Sequence, residues 1–220
     1  MANREPELQN RIVGIVGRKG TGKSTELEEI LSYCDRVLIF DAMGEHDFIP
    51  NKLFSIDELR EFFKYSRKRK QWAATFIPGE EIEEDIESVS RIVFDRGDLT
   101  FAIEEVPLIC SPGHLPKKLG KLIRTGRHRK IDIYWTAQRA GEVSRTLTSL
   151  TDEFILFSQT EPRDLDAIAS RCGAEVADQV SRLNGHEHLV WDVKARRLVE
   201  GAIAAAPDAA PAPPTAPANN

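Results

Sequence analysis

Between Gly17 and Ser24 the chain reads Gly-Arg-Lys-Gly-Thr-Gly-Lys-Ser: three glycines, then a lysine and a hydroxyl, in the unbroken spacing GxxxxGK(S/T). Glycines so placed let successive backbone N–H groups turn inward around phosphate oxygens, and a helix starting behind them adds a favourable dipole. In that chemistry Gly17, Arg18, Lys19, Gly20, Thr21 and Gly22 form the cradle and Lys23 reaches the β- and γ-phosphates of ATP. Ser24 would ligand Mg2+, and Thr25 is a further donor near the α-phosphate. A second set of groups lies where the apolar run Leu99–Ile103 ends in Glu104 and Glu105. A buried strand of this kind aims both acids out of its C-terminal end, beside the phosphate loop. Glu104 would hold Mg2+ through water, and Glu105 would orient or deprotonate an attacking water. Glu104 is one methylene longer than the aspartate usual at the metal position. Gln138 ends the later run IDIYWTAQ, where its amide could hydrogen-bond the γ-phosphate or the attacking water.

The elements that would position these groups follow from patterning. Short apolar runs (Arg11–Val16, Arg36–Phe40, Trp72–Ile77, Leu99–Ile103, Ile131–Thr136, Glu153–Phe157, His188–Val193) alternate with amphipathic stretches such as 82–93, where Ile82, Ile86, Val89 and Val93 recur at helical spacing. Strands that are nearly all apolar and alternate with helices imply an α/β fold with a central, mostly parallel sheet covered on both faces. The chain has 220 residues, 41% hydrophobic and 30% charged, an ordinary globular balance with room for one core. Residues 1–10 read as a polar arm and 11–200 as the domain. Residues 201–220, with nine alanines and five prolines, read as a tail that buries too little to order itself. No apolar run reaches the length of a membrane span, and no signal-peptide core opens the chain. Cys34, Cys110 and Cys172 are odd in number and far apart, as expected of free thiols in a reducing cytoplasm.

Taken together, these residues resemble the FtsK–HerA superfamily of ring-forming motor ATPases, and its HerA-like branch above all. The matching pieces are GRKGTGKST (Gly17–Thr25), FDAMGEH (Phe40–His46), FAIEEV (Phe101–Val106), RTGRHRKIDIYWTAQR (Arg124–Arg139) and EPRDLDAI (Glu161–Ile168). They span about 150 residues in order. The second piece looks like the family's DxxGE element, here Asp41 and Glu45. The resemblance implies an ASCE/RecA-like P-loop fold and a homo-oligomeric ring that hydrolyses ATP to move double-stranded DNA. It also implies an arginine that reaches the neighbouring subunit's γ-phosphate: Arg127 first, then Arg124, with Arg129 in the same region. Guanidinium there stabilises charge on the transferring phosphoryl group. HerA-type helicases carry an N-terminal barrel and FtsK-type pumps a DNA-directing domain. A motor core of this size looks more like the compact genome-packaging ATPases of viruses with internal membranes. In that case capsid or membrane-vertex proteins are partners and the location is virion-associated rather than plainly cytoplasmic.

Net charge is −5, so any nucleic-acid surface must be local. Seven Lys/Arg and no acid lie between Lys117 and Lys130, and Lys64–Lys70 is a second basic run, whereas Glu80–Glu87 holds six acids. Either basic run is a candidate for DNA contact. His186 and His188 are read as neighbours on one strand face with no third metal ligand, and Trp72, Trp135 and Trp191 as core. Two other functions compete with the motor: a phosphotransferase acting on a small molecule, and an ATP-binding structural or regulatory subunit that hydrolyses little. Glu105 argues against the first, and Glu105 with Gln138 against the second.

Overall fold

The computed structural model describes residues 11–44 and 47–199. The arm at 1–10, Glu45 of the DxxGE element, and the tail at 201–220 lie outside the described residues. Nine strands form one sheet: β1 (Ile12–Val16), β2 (Arg36–Phe40), β3 (Lys52–Leu53), β4 (Trp72–Phe76), β5 (Leu99–Ile103), β6 (Ile131–Ala137), β7 (Glu153–Phe157), β8 (His188–Asp192) and β9 (Arg197–Leu198). Their order is β3-β4-β2-β5-β6-β1-β7-β8-β9. Every pairing from β3 to β7 is parallel, and β8 and β9 add an antiparallel edge. The acidic strand β5 is therefore separated from the loop-bearing strand β1 by β6, which ends in Gln138's segment.

The helices are α1 (Lys23–Ser32), α2 (Ile56–Tyr65), α3 (Ile82–Arg96), α4 (Lys117–Thr125), α5 (Arg145–Leu150), α6 (Pro162–Cys172) and α7 (Ala174–Arg182). Local chemistry sets several starts. Ser55 Oγ accepts from Glu58 N (3.2 Å) while the Glu58 carboxylate accepts from Phe54 N (2.7 Å), a reciprocal cap on α2. Pro162 opens α6, where its missing N–H costs nothing.

The two sheet faces are covered unequally. Leu27 and Leu31 of α1 pack on Val13, Ile15, Val37, Ile39 and Ile155. The other face carries the larger core, with α2 through α7 contributing residues such as Leu59, Val89, Leu122, Leu147, Ile168 and Val180. Because α1 alone crosses to its side, the β1–α1 turn lies at the carboxyl ends of the strands where helices diverge to opposite faces. That is where α/β sheets bind ligands. Trp72 and Trp135 are buried as expected, and Trp191 packs against the core while partly exposed.

Close packing at β1 yields a stability test. A Cβ added at Gly14 would lie 2.3–2.8 Å from ring atoms of Trp135, which is fully buried and tied by Nε1 to Thr151 Oγ1 (3.1 Å). Gly14→Ala is expected to cost about 1–3 kcal/mol by overpacking. The denaturant midpoint reads it directly, and an unchanged midpoint would show that Trp135 yields.

Candidate nucleotide site

The phosphate loop hangs between two strand ends. Gly17 N donates to Ala137 O at the end of β6 and Arg18 N to Ser158 O beyond β7, both at 3.2 Å. The Arg18 guanidinium also reaches Ser158 Oγ (3.3 Å). Gly22 has φ 100°, a left-handed conformation that a side chain would strain, and it opens α1 with no side-chain cap. The first-turn N–H groups of α1 thus face outward, where phosphate is their natural acceptor. Lys19, Gly20, Ser24 and Thr25 are exposed along this rim. Thr21 Oγ1 and Lys23 Nζ both donate to Arg18 O, at 2.8 and 3.1 Å, which draws the loop closed around the amine. Burial pulls the Lys23 pKa below its ordinary value, and the charges of Glu105 and Glu104 partly oppose that.

β5 runs directly into Glu104 and Glu105. Glu104 is buried, and Ser24 Oγ approaches its Oε1 to 3.4 Å. A hydroxyl and a carboxylate oxygen so close together could serve one Mg2+, Ser24 as a ligand and Glu104 through a bound water, with phosphate and water in the other positions. Glu105 has φ 47°, the left-handed region, at a residue with a side chain. Its strained backbone is held by Glu105 N donating to Thr136 Oγ1 (2.9 Å) on the adjacent strand. The carboxylate in turn accepts from Gln138 N (3.1 Å). Burial raises the Glu105 pKa, with the Gln138 hydrogen bond and the Lys23 charge working against the rise. The result is a half-buried carboxylate held beside Gln138 and within range of the Lys23 charge.

Three supports escaped the sequence reading. Thr136 positions Glu105. Gln159, fully buried past β7, donates from Nε2 to Gln138 O (2.8 Å), and its Oε1 has no partner among the described residues. Its signal was available: FILFSQ ends β7 as IDIYWTAQ ends β6. Asp164, also fully buried, accepts from Arg139 Nε (2.6 Å) and Gly141 N (2.9 Å), so the EPRDLDAI segment pins the turn that follows Gln138. Asp41 is buried too, and its Oδ1 accepts from Met43 N and Gly44 N, closing the turn after β2.

The two histidines do not share a strand face. His188 opens β8 and its ring packs 4.9 Å from that of Phe157. His186 lies in the preceding turn, exposed, with Nδ1 so close to Gly22 that an added Cβ would sit 2.7 Å from it. The arginines also part company with the phosphate loop. Arg124 ends α4 and back-bonds to Gly120 O (3.0 Å). Arg129 caps α3 by donating to Phe94 O and Asp95 O. Arg127 is exposed, and no hydrogen bond or ion pair holds its guanidinium among the described residues. All three precede β6, at the end of the sheet opposite the loop, about 20 Å away at some 3.3 Å per strand residue.

No protein-family model matches the chain, and no curated protein matches it. Solved structures do. The genome packaging NTPase B204 from Sulfolobus turreted icosahedral virus 2, in complex with AMPPCP, superposes with a TM-score of 0.72 at 19% identity, covering 87% of this chain and 96% of that one. B204 from Sulfolobus Turreted Icosahedral Virus, described as a DNA-packaging ATPase, gives 0.66 at 18% identity over 86% and 96%. This is a P-loop NTPase fold. VirB4 of Thermoanaerobacter pseudethanolicus shares it, with a TM-score of 0.54 at 13% identity over 89% of this chain and 90% of that one. The P-loop fold is the one that the FtsK–HerA resemblance implies. Among the described residues no helix is long and apolar enough to cross a membrane.

Proposed function

We propose that this chain is an Mg2+-dependent ATPase of the FtsK–HerA type that couples hydrolysis to movement of double-stranded DNA as a ring of identical subunits. The observation that carries the hydrolytic part is Glu105: a strained, half-buried carboxylate tied to Gln138 and facing the phosphate loop. The likeness to B204, whose solved structures are named as a genome packaging NTPase, supports packaging as the use.

In this reading the loop N–H groups and Lys23 would hold the β- and γ-phosphates, and Ser24, with Glu104 through water, would hold Mg2+, which would supply charge neutralisation on the phosphates. Gln138 orients a water in line with the γ-phosphorus, and Glu105 takes its proton as the water oxygen bonds to phosphorus and ADP leaves. Asp164, through Arg139 and Gly141, keeps Gln138 in register. Arg127 belongs to a neighbour's site, since its own lies too far off. Its guanidinium is unengaged, as a group reserved for another subunit would be, and it would make hydrolysis depend on assembly.

The test is steady-state ATP turnover against protein concentration, with and without duplex DNA. Turnover per subunit is expected to climb with concentration and to rise further with DNA. Mixing Arg127→Ala with Glu105→Gln, each inactive alone, is expected to restore part of the activity, because one supplies the carboxylate site and the other the arginine. Turnover linear in protein, indifferent to DNA and unrestored by mixing would point to a monomeric phosphotransferase.

A further inference from the structure

The fold rearranges the two basic runs. Lys117 and Lys118 head α4 beside the middle of α3, where their backbone N–H groups both donate to the Glu87 carboxylate. Only the later part of that run reaches the end of the sheet opposite the phosphate loop. The other run, 64–70, lies wholly there, between α2 and β4.

At that end the starts of β4, β2 and β5 are neighbours, and each brings a cation. Arg36 Nε donates to Lys70 O (3.2 Å), and its guanidinium pairs with Asp98. The Arg96 guanidinium lies 5.9 Å from the ring centroids of both Phe63 and Trp72. Burial and the nearby charges of Arg36 and Arg67 lower its pKa, which Asp98 partly opposes. Arg69 stacks 4.1 Å above the ring of Tyr65, itself 69% exposed. Arg67, Lys68 and Lys70 are exposed, and their side chains make no ion pair among the described residues. Six cations thus face two carboxylates, Asp35 and Asp98, on a chain whose net charge is −5.

We propose that this patch, centred on Tyr65 and Arg67–Lys70, grips the phosphate backbone of the DNA at the end of the sheet opposite the nucleotide. The proposal rests on the DNA-motor reading and names its contact surface. Unpaired cations around an exposed tyrosine, whose hydroxyl can donate to a phosphate oxygen, suit a duplex backbone. A second copy of the chain is the competing occupant, since the acidic run Glu80–Glu87 lies at the other end. Three of its acids are already engaged, Glu83 with His114, Asp85 with Gly79 N and Glu87 with the head of α4. Arg127, at β6, stands about 14 Å beyond β4 at some 4.8 Å per strand, which leaves it to the neighbouring subunit.

Anisotropy of a short fluorescein-labelled DNA duplex, titrated across a salt series, tests this. The triple variant Lys68→Glu/Arg69→Glu/Lys70→Glu is expected to bind at least tenfold more weakly at low salt. Its log–log salt slope should be shallower by about three, near 0.9 for each phosphate that is no longer neutralised. Lys117→Glu/Lys118→Glu is expected to bind like wild type, and an unshifted melting curve checks that the triple variant folds. The neutral pair Lys68→Gln/Lys70→Gln should show a smaller loss in the same direction. Triple-variant binding equal to wild type would overturn the patch alone. Impaired self-association in sedimentation, with duplex binding intact, would reassign the patch to contact with a second copy. Wild-type protein that binds no duplex would sink the DNA-motor reading itself.

Discussion

Glu105→Gln is expected to bind ATP as wild type does while hydrolysing it about 10²–10⁴ times more slowly, the range for removing a positioned general base. The amide keeps the oxygen that accepts from Gln138 N, so the strained backbone at φ 47° and its Thr136 bond should persist. Only proton acceptance is lost. Stability should move the other way. The Glu105 pKa is raised above 4.5 chiefly by burial. Between 4.5 and the raised value the folded protein holds a proton that the unfolded chain has released, so stability falls as pH rises through that window. At neutral pH the buried charge is therefore a cost that glutamine removes. The variant should melt at or above wild type at pH 7, and the gap should close as pH falls toward 4.5. The same shift moves the acid limb of the wild-type pH–rate profile upward from 4.5. Normal turnover in Glu105→Gln would move the base elsewhere, with Glu104 the next carboxylate in reach.

What could be read from the sequence was whatever the chemistry fixes within a few residues. The phosphate loop needs its glycines and lysine in one turn, and Glu104-Glu105 need a strand directly before them. Both were visible without knowledge of the fold. The strands were legible because a parallel sheet buried on both faces is nearly uniformly apolar. Elements too short to show a period were not, as with the two-residue β3 and the six-residue α5. Supports that act across strands were also hidden. Thr136 meets Glu105 because β6 lies beside β5, and Asp164 meets Arg139 across 25 positions of sequence. Two histidines two residues apart suggested one strand face, but β8 begins only at His188, which leaves His186 to the phosphate loop. Charge runs misled in a similar way. Lys117–Lys130 is one block in sequence, yet α4 spreads it along α3, from Glu87 to the end that Arg129 caps.

Lys23→Met should separate stability from function most sharply. Lys23 is 8% exposed, and its pKa is lowered even with Glu104 and Glu105 nearby, so the ammonium costs more in lost hydration than those charges return. A depressed lysine gains stability as pH rises from the lowered pKa to 10.5, where the unfolded chain still holds the proton. Below the lowered pKa both states are protonated and that cost stands in full. Methionine has similar length, fills the same space and carries no charge, so the nucleotide-free variant should melt higher than wild type. Adding ATP with Mg2+ should reverse the order. Ligand at a hundred times its Kd stabilises by about 2.7 kcal/mol, and each kcal/mol shifts a domain of this size by about 2–4 °C. Wild type should therefore gain roughly 5–10 °C, while the variant, without the cation that meets the β- and γ-phosphates, gains little or nothing and turns over no ATP. Crossed melting curves would show that the buried charge is kept for phosphate at the expense of the fold. A variant that ATP stabilises as much as wild type would remove Lys23 from the nucleotide site and the phosphate-loop assignment with it.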